Sequence, residues 1–145
     1  MIHHSVGNSL AGKVVYVVHL HLNTAQEVGP HPERDDERIY SVDGKARPML
    51  FITRESKKDR GVYWYLAFPI FSDGHDERGV LKKDFMEIGD CLETSHRSFI
   101  HCSLGRIPEN LIVTRGDQPK IIEPSDPQAI ANFLKIITMK RLGYA

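Results

Sequence analysis

The segment Lys45-Ala-Arg-Pro-Met-Leu-Phe-Ile-Thr-Arg-Glu55 decides how the chain is read. An apolar run, Met49 to Ile52, follows directly on Arg47-Pro48 and reads as the start of a buried strand. A charged arginine and a rigid proline at the mouth of such a strand need an explanation, and the flanking sequence supplies the setting. SKKDRG, 56–61, is a polar turn, and VYWYLAFPIF, 62–71, is a second strongly apolar strand. Joined by so short a turn, the two form an antiparallel hairpin. The beginning of 47–55 then lies beside the end of 62–71, which brings Arg47 close to Ser72 at one rim of the sheet.

Outward from this hairpin, KVVYVVHLHL, 13–22, is rich in β-branched residues and predicts a strand. Its alternation places His19 and His21 on one face. Residues 23–44 hold two prolines, two glycines and a charge cluster, and predict a long loop over the Arg47 rim, within which RIYSV could add a short strand. SDGHDERG, 72–79, is a polar loop, and 80–93 is ambiguous between a short helix and a strand with a bend. RSFIHCSLGRI, 97–107, predicts a further strand ended by Pro108. NLIVTR, 110–115, and PKIIE, 119–123, predict a hairpin around Gly116-Asp117. The period then changes. Ser125 or Asp126 can cap a helix, Pro127 suits its first turn, and Ile130, Phe133, Leu134 and Ile137 fall on one face. Lys140 and Arg141 complement the dipole, and Gly143 supplies a stop. The expected organisation is a frayed segment 1–12 and one domain, 13–145, ending in a helix over about 126–142. The fold class is mainly β: a small barrel with a packing C-terminal α-helix.

The bulk properties narrow the function. A chain of 145 residues, 41% hydrophobic and 26% charged, suits one globular domain. No apolar run approaches the roughly 20 residues of a membrane span. The start MIHHSVGNSLAG has no basic region followed by an apolar core, so a cytoplasmic location is expected. Cys91 and Cys102 form no CxxC pair and read as small buried thiols. A formal net charge of zero argues against non-specific tracking along a polyanion, although a local patch suffices for an RNA ligand.

The residues bear on four kinds of chemistry. His19-x-His21 with His75, His96 or His101 could hold a metal, but no HExxH or clustered Cys/His spacing accompanies them, and no metal or cofactor is expected. Ser95, His96 and Ser98 lie together, yet no GxSxG elbow surrounds a serine. DGHDERGV, 73–80, lacks the lysine-serine pair of a phosphate loop and reads as a turn. Phosphodiester chemistry without a metal needs a permanently charged donor and a group that moves a proton. Arginine suits the donor role, since its fork matches phosphate. Arg47 at the rim is the candidate, and the bland alternative is that it pairs with the acidic loop.

The order GKVVYVV (12–18), long loop, KARPMLFIT (45–53), YLAFPIFS (65–72) and SFIHCSLGRI (98–107) resembles the PemK/MazF family of toxins from toxin–antitoxin systems. The resemblance spans about residues 12–115. It implies an SH3-like barrel, a homodimer, and a metal-independent endoribonuclease that cuts single-stranded RNA by attack of a 2′-hydroxyl on its own phosphate. A cognate antitoxin would be the protein partner. The family's arginine matches Arg47, which would stabilise the phosphorane. Its threonine falls at Phe71, with Ser72 the adjacent hydroxyl, and its later acidic and amide positions fall near Ser103 and Leu104. The implied catalytic set is Arg47 with Ser72 or His101 assisting proton transfer. The implied substrate-binding set is His19, Ser98, Ser103 and Arg106, with Arg106 and His19 holding phosphate. A non-catalytic member that binds RNA or a protein through the same groove is the alternative, and a small structural or interaction domain is a third.

Overall fold

A computed structural model describes residues 10–89 and 98–141. Strand β2 (Arg38–Arg54) is central, with β1 (Val14–Pro30) on one side and β3 (Trp64–Phe71) on the other, both antiparallel to it. The continuous apolar run of β2 has a direct cause: both faces of the sheet are buried there. Phe51 and Met49 point into one cluster with Val15, Val17, Ala67, Tyr65 and Leu10. Leu50 joins the other cluster, with Val14, Phe68, Ile70 and Ile100 beneath the C-terminal helix. The structure is therefore mainly β with one C-terminal helix, as expected.

The β2–β3 hairpin forms as read. Arg60 and Gly61, with φ of 56° and 83°, occupy the two positive-φ positions of a tight turn closed by reciprocal Asp59–Val62 backbone hydrogen bonds. The other edge of β3 carries two short strands. Strand β5 (Ser98–His101) pairs with Ile70 and Phe71, and β6 (Gly105–Pro108) pairs with Trp64 to Ala67. The single strand expected over 97–107 is thus broken at 102–104. Strand β4 (Phe85–Gly89), on the outer edge of β5, resolves part of the ambiguous 80–93 segment as a strand. After β6, one 3-10 turn (Glu109–Leu111) replaces the expected start of a strand and returns the chain to β1. There Ile112 bridges Val17, and the Val113 amide donates to the Tyr16 carbonyl at 2.9 Å, so the curled sheet meets itself in barrel-like fashion. Strands β7 (Thr114–Arg115) and β8 (Gln118–Pro119) form the hairpin expected around Gly116-Asp117, and β9 (Ile121–Ile122) pairs with Val14 and Val15.

The segment 23–44 is not a loop. Strands β1 and β2 continue past the barrel as a two-stranded ribbon to Pro30 and Arg38, leaving only 31–37 as the tip. The ladder holds this polar ribbon together. At its main irregularity, between His21 and Gln26, the Thr24 hydroxyl donates to the His21 carbonyl at 2.6 Å and accepts the Asp43 amide at 2.8 Å. The expected fraying of 1–12 also needs correction over its last three residues. Leu10 is 1% exposed, and the Gly12 amide donates to the Phe51 carbonyl. Residues 1–9 and 90–97 (with Cys91, Ser95 and His96) and Gly143 lie outside the described residues.

Helix α1 (Pro127–Arg141) follows the sequence reading closely. Asp126 caps it through the Gln128 amide at 3.1 Å. Ile130, Phe133 and Ile137 are buried against the sheet, and the Phe133 ring stands edge-on to Phe68 at 5.2 Å. Among the described residues no helix is long and apolar enough to cross a membrane. Because Phe133 is fully buried, Phe133→Ala should destabilise the fold by about 3–5 kcal/mol. Urea unfolding with an unchanged m-value is the check, and a loss near zero would mean that the helix does not cover this face.

Candidate functional site at the barrel mouth

Period-two alternation carries the inner face of the barrel from core to solvent. Along β1 that face runs Val15, Val17, His19. Along β2 it runs Phe51, Met49, Arg47. Val17 and Arg47 are direct cross-strand partners, as are His19 and Lys45. The apolar core therefore ends at a mouth where an arginine and a histidine take the next positions. A pocket of about 240 Å³ opens there, walled by Val17, Met49, Pro69, Phe71 and Ile107, with Arg47 and His19 reaching it.

Arg47 is half-buried. Its Nε is buried and has no hydrogen-bond partner among the described residues. Its guanidinium carbon lies 5.8 Å from the centre of the Phe71 ring. The alternative, neutralisation by the acidic segment, is not what forms. Arg34 pairs with Glu37 at 3.1 Å and Arg38 with Glu27 at 3.6 Å, both within the ribbon. A buried donor without a partner in an apolar pocket costs free energy, so an anionic ligand that pairs with it gains more than at an open surface.

The remaining expected residues divide. His19 lines the pocket, and its ring meets His21 edge-on at 5.6 Å. His101 lies beside the same aromatic wall, 6.5 Å from Phe71 and 4.7 Å from Phe85 between ring centres. Its Nδ1 accepts the Ser103 amide at 3.0 Å, which places the proton of the neutral ring on Nε2. His101 is thus set up as a hydrogen-bond donor rather than as the base. Ser103 contributes through its backbone, which fixes that ring.

Ser72 is exposed, one residue past β3, and is not among the residues that line the pocket; Phe71 lines it and stands beside Arg47. Ser98 is 4% exposed and pairs with Gly89, out of reach of a substrate. Arg106 is turned away as well. Its neighbour Ile107 lines the pocket, while the Arg106 guanidinium stacks on Trp64 at 4.2 Å and donates to Glu55 at 2.5 and 2.7 Å and to Asp59 at 2.8 Å. That cluster braces the turn end of the β2–β3 hairpin. These partners are 51 and 47 residues away in sequence, so no local pattern announces them.

His75, a possible metal ligand by sequence, instead pairs through Nδ1 with Asp73 at 2.8 Å and stands edge-on to Phe99 at 5.0 Å. The Asp73 carboxyl is held below the usual carboxylate range, chiefly by the His75 amide and then by its side chain. Among the described residues no group of three or more His, Cys, Asp or Glu side chains is placed to hold a metal ion. Cys102 is half-buried, and burial raises its thiol pKa. The aromatic wall of Phe71 and Phe85 was not singled out in the sequence. Phe85 lay in the ambiguous 80–93 segment, where only its pairing with His101 across β4 and β5 shows what it faces.

No protein-family model, no curated protein and no solved structure matches the chain.

The hydrogen bond from Arg106 holds Glu55 below the usual carboxylate range. The folded state therefore binds that proton less tightly than the unfolded chain does. The resulting stabilisation is present above the ordinary carboxylate pKa and is lost as pH falls through the lowered folded value. Arg106→Gln should be less stable than the parent at pH 7, and the gap should close on acidification. Thermal melts across that range check it, and a gap independent of pH would mean that the pair contributes only packing.

Proposed function

We propose that the chain is a metal-independent endoribonuclease of a toxin–antitoxin system, cutting single-stranded RNA at the Arg47 mouth. The observation that carries this reading is the half-buried Arg47, its Nε unpartnered among the described residues, sharing an apolar pocket with His19. In this reading the RNA phosphate sits against the Arg47 guanidinium. His19 takes the proton of the 2′-hydroxyl as the 2′-oxygen attacks phosphorus. The O2′–P bond forms and the P–O5′ bond breaks, and the leaving oxygen takes a proton from water or from the protonated base. The products are a 2′,3′-cyclic phosphate and a 5′-hydroxyl. Arg47 stabilises the charge that develops on the phosphorane oxygens, and His101 offers its Nε2–H to the same phosphate. Ser72 has no role in the chemistry.

The resemblance extends the proposal to a homodimer acting in the cytoplasm and restrained by a cognate antitoxin. The ribbon supports a protein contact, since Leu22, Val28 and Tyr40 are largely exposed on it.

A second reading is favoured by one observation. The position that resembles the family's threonine is Phe71, which brings an aromatic face and no hydroxyl to the mouth. A non-catalytic domain that binds RNA or a protein through the same groove would look like this.

Incubation of pure protein with RNA oligonucleotides in EDTA, with products resolved by mass, separates the readings. Cyclic-phosphate ends are expected from wild type. Arg47→Ala should lose about 10²–10³ in rate. His19→Gln should lose about 10²–10⁴. Ser72→Ala should stay close to wild type. Absence of cleavage across a varied RNA pool, with RNA binding retained, would hand the case to the non-catalytic reading.

A further inference from the structure

The Arg47 mouth does not end at Phe71. Three half-buried rings continue across the sheet from β3 through β5 to β4. Phe71 meets Phe85 at 5.5 Å, Phe85 meets His101 at 4.7 Å, and His101 returns to Phe71 at 6.5 Å. A cation closes each end of the row: the Arg47 guanidinium at 5.8 Å from Phe71, and the Lys82 ammonium at 5.7 Å from Phe85. The Phe85 ring is held by a close approach, since a Cβ on Gly74 would stand 2.8 Å from its Cδ1.

We infer that this row is a base-stacking track for single-stranded RNA, leading from the cleavage mouth to the edge of β4. The inference rests on the RNA reading above and adds to it where the flanking nucleotides lie. Aromatic faces accept any base, and the cations at the two ends meet the backbone phosphates. Aromatic surface flanked by positive charge suits sequence-tolerant binding of a single strand. It also suits a chain of zero net charge, because affinity comes from a local track rather than from the field of the whole molecule.

The track gives Phe71 a function as the first stacking surface beside the scissile phosphate. It gives Lys82 and Phe85, outside the mouth, a role in affinity but none in bond breaking.

The test uses the full chain and a fluorescent 2′-O-methyl RNA of about ten nucleotides, within the span of such grooves. With its attacking hydroxyl blocked, this probe reports binding apart from cleavage. A second oligomer keeps the backbone but lacks the bases. Anisotropy titrations at about 50 mM salt leave phosphate contacts little screened. The base-bearing oligomer should bind more tightly than the abasic one. Phe85→Leu should bind it about 10- to 100-fold more weakly and lose the distinction between the two probes. Phe85→Trp, which keeps an aromatic face, should retain both, and this guards against misreading a folding defect in the leucine variant. Lys82→Ala should weaken both probes alike and lower the salt dependence. Equal affinity of wild type for the two oligomers, or unchanged binding by Phe85→Leu, would overturn the track even if RNA is cleaved. Failure of the base-bearing oligomer to bind at all would also overturn it and leave the row to a protein partner. Phe85-dependent binding without any cleavage of ordinary RNA would uphold the track while refuting the nuclease.

Discussion

The antiparallel register of β1 against β2 is the constraint on which the rest depends. Val15 faces Met49 and Val17 faces Arg47. Because side chains alternate, a slip of one residue would exchange the two faces of β2. Met49 and Phe51 would turn toward the helix, Leu50 would enter the barrel, and Arg47 would leave the mouth. The two buried clusters oppose any such slip. Each is filled by residues of alternating parity from the same short run, so the core that stabilises the fold also aims the arginine. Pro48 adds to this. It cannot donate to a ladder, and it sits beside Tyr16 where the strand passes from ribbon into barrel.

The site follows from where the core stops. Inside the barrel the face is apolar; one step further the same face carries His19 and Arg47. A guanidinium at that boundary is close enough to the interior to be partly desolvated and open enough to meet a ligand. The surrounding groups raise its value for an anion. Among the described residues no acidic side chain pairs with it, the Phe71 ring lies beside it, and Arg34 and Arg38 take Glu37 and Glu27 of the ribbon as their own partners. Arg106 shows the contrast. It is bound in a cluster with Glu55, Asp59 and Trp64, where it stabilises a turn and is spent as a ligand group.

Much of the fold was legible because strong local patterns agreed with the tertiary structure. The β2–β3 hairpin has apolar strands around a polar turn, and α1 has a cap and an apolar stripe. The ribbon over 23–44 was not legible. Its strands are solvated on both sides, so no apolar periodicity marks them, and its prolines and glycines imitate a loop. The break at 102–104 was hidden for a different reason. It exists because β5 and β6 share one edge of β3, which is a fact of topology rather than of composition. For the site, the position of Arg47 and His19 at one pocket was legible because charge or imidazole at the end of an apolar alternation is conspicuous. The burial of Ser98 and the pairing of Arg106 were not legible, because sequence neighbourhood fixes neither the face nor a partner some fifty residues away.

The central claim is that Arg47 acts as a charged donor to the reacting phosphate, and chemical rescue addresses it most directly. Arg47→Ala leaves a space at the mouth where free guanidinium ion, at concentrations well below those that unfold the protein, can take the side chain's place. Single-turnover cleavage of RNA by this variant should rise and saturate with added guanidinium, while urea, which is similar in shape but uncharged, should not restore it. Recovery that is equal with both additives, or absent with both although wild type cleaves, would contradict the role assigned to Arg47.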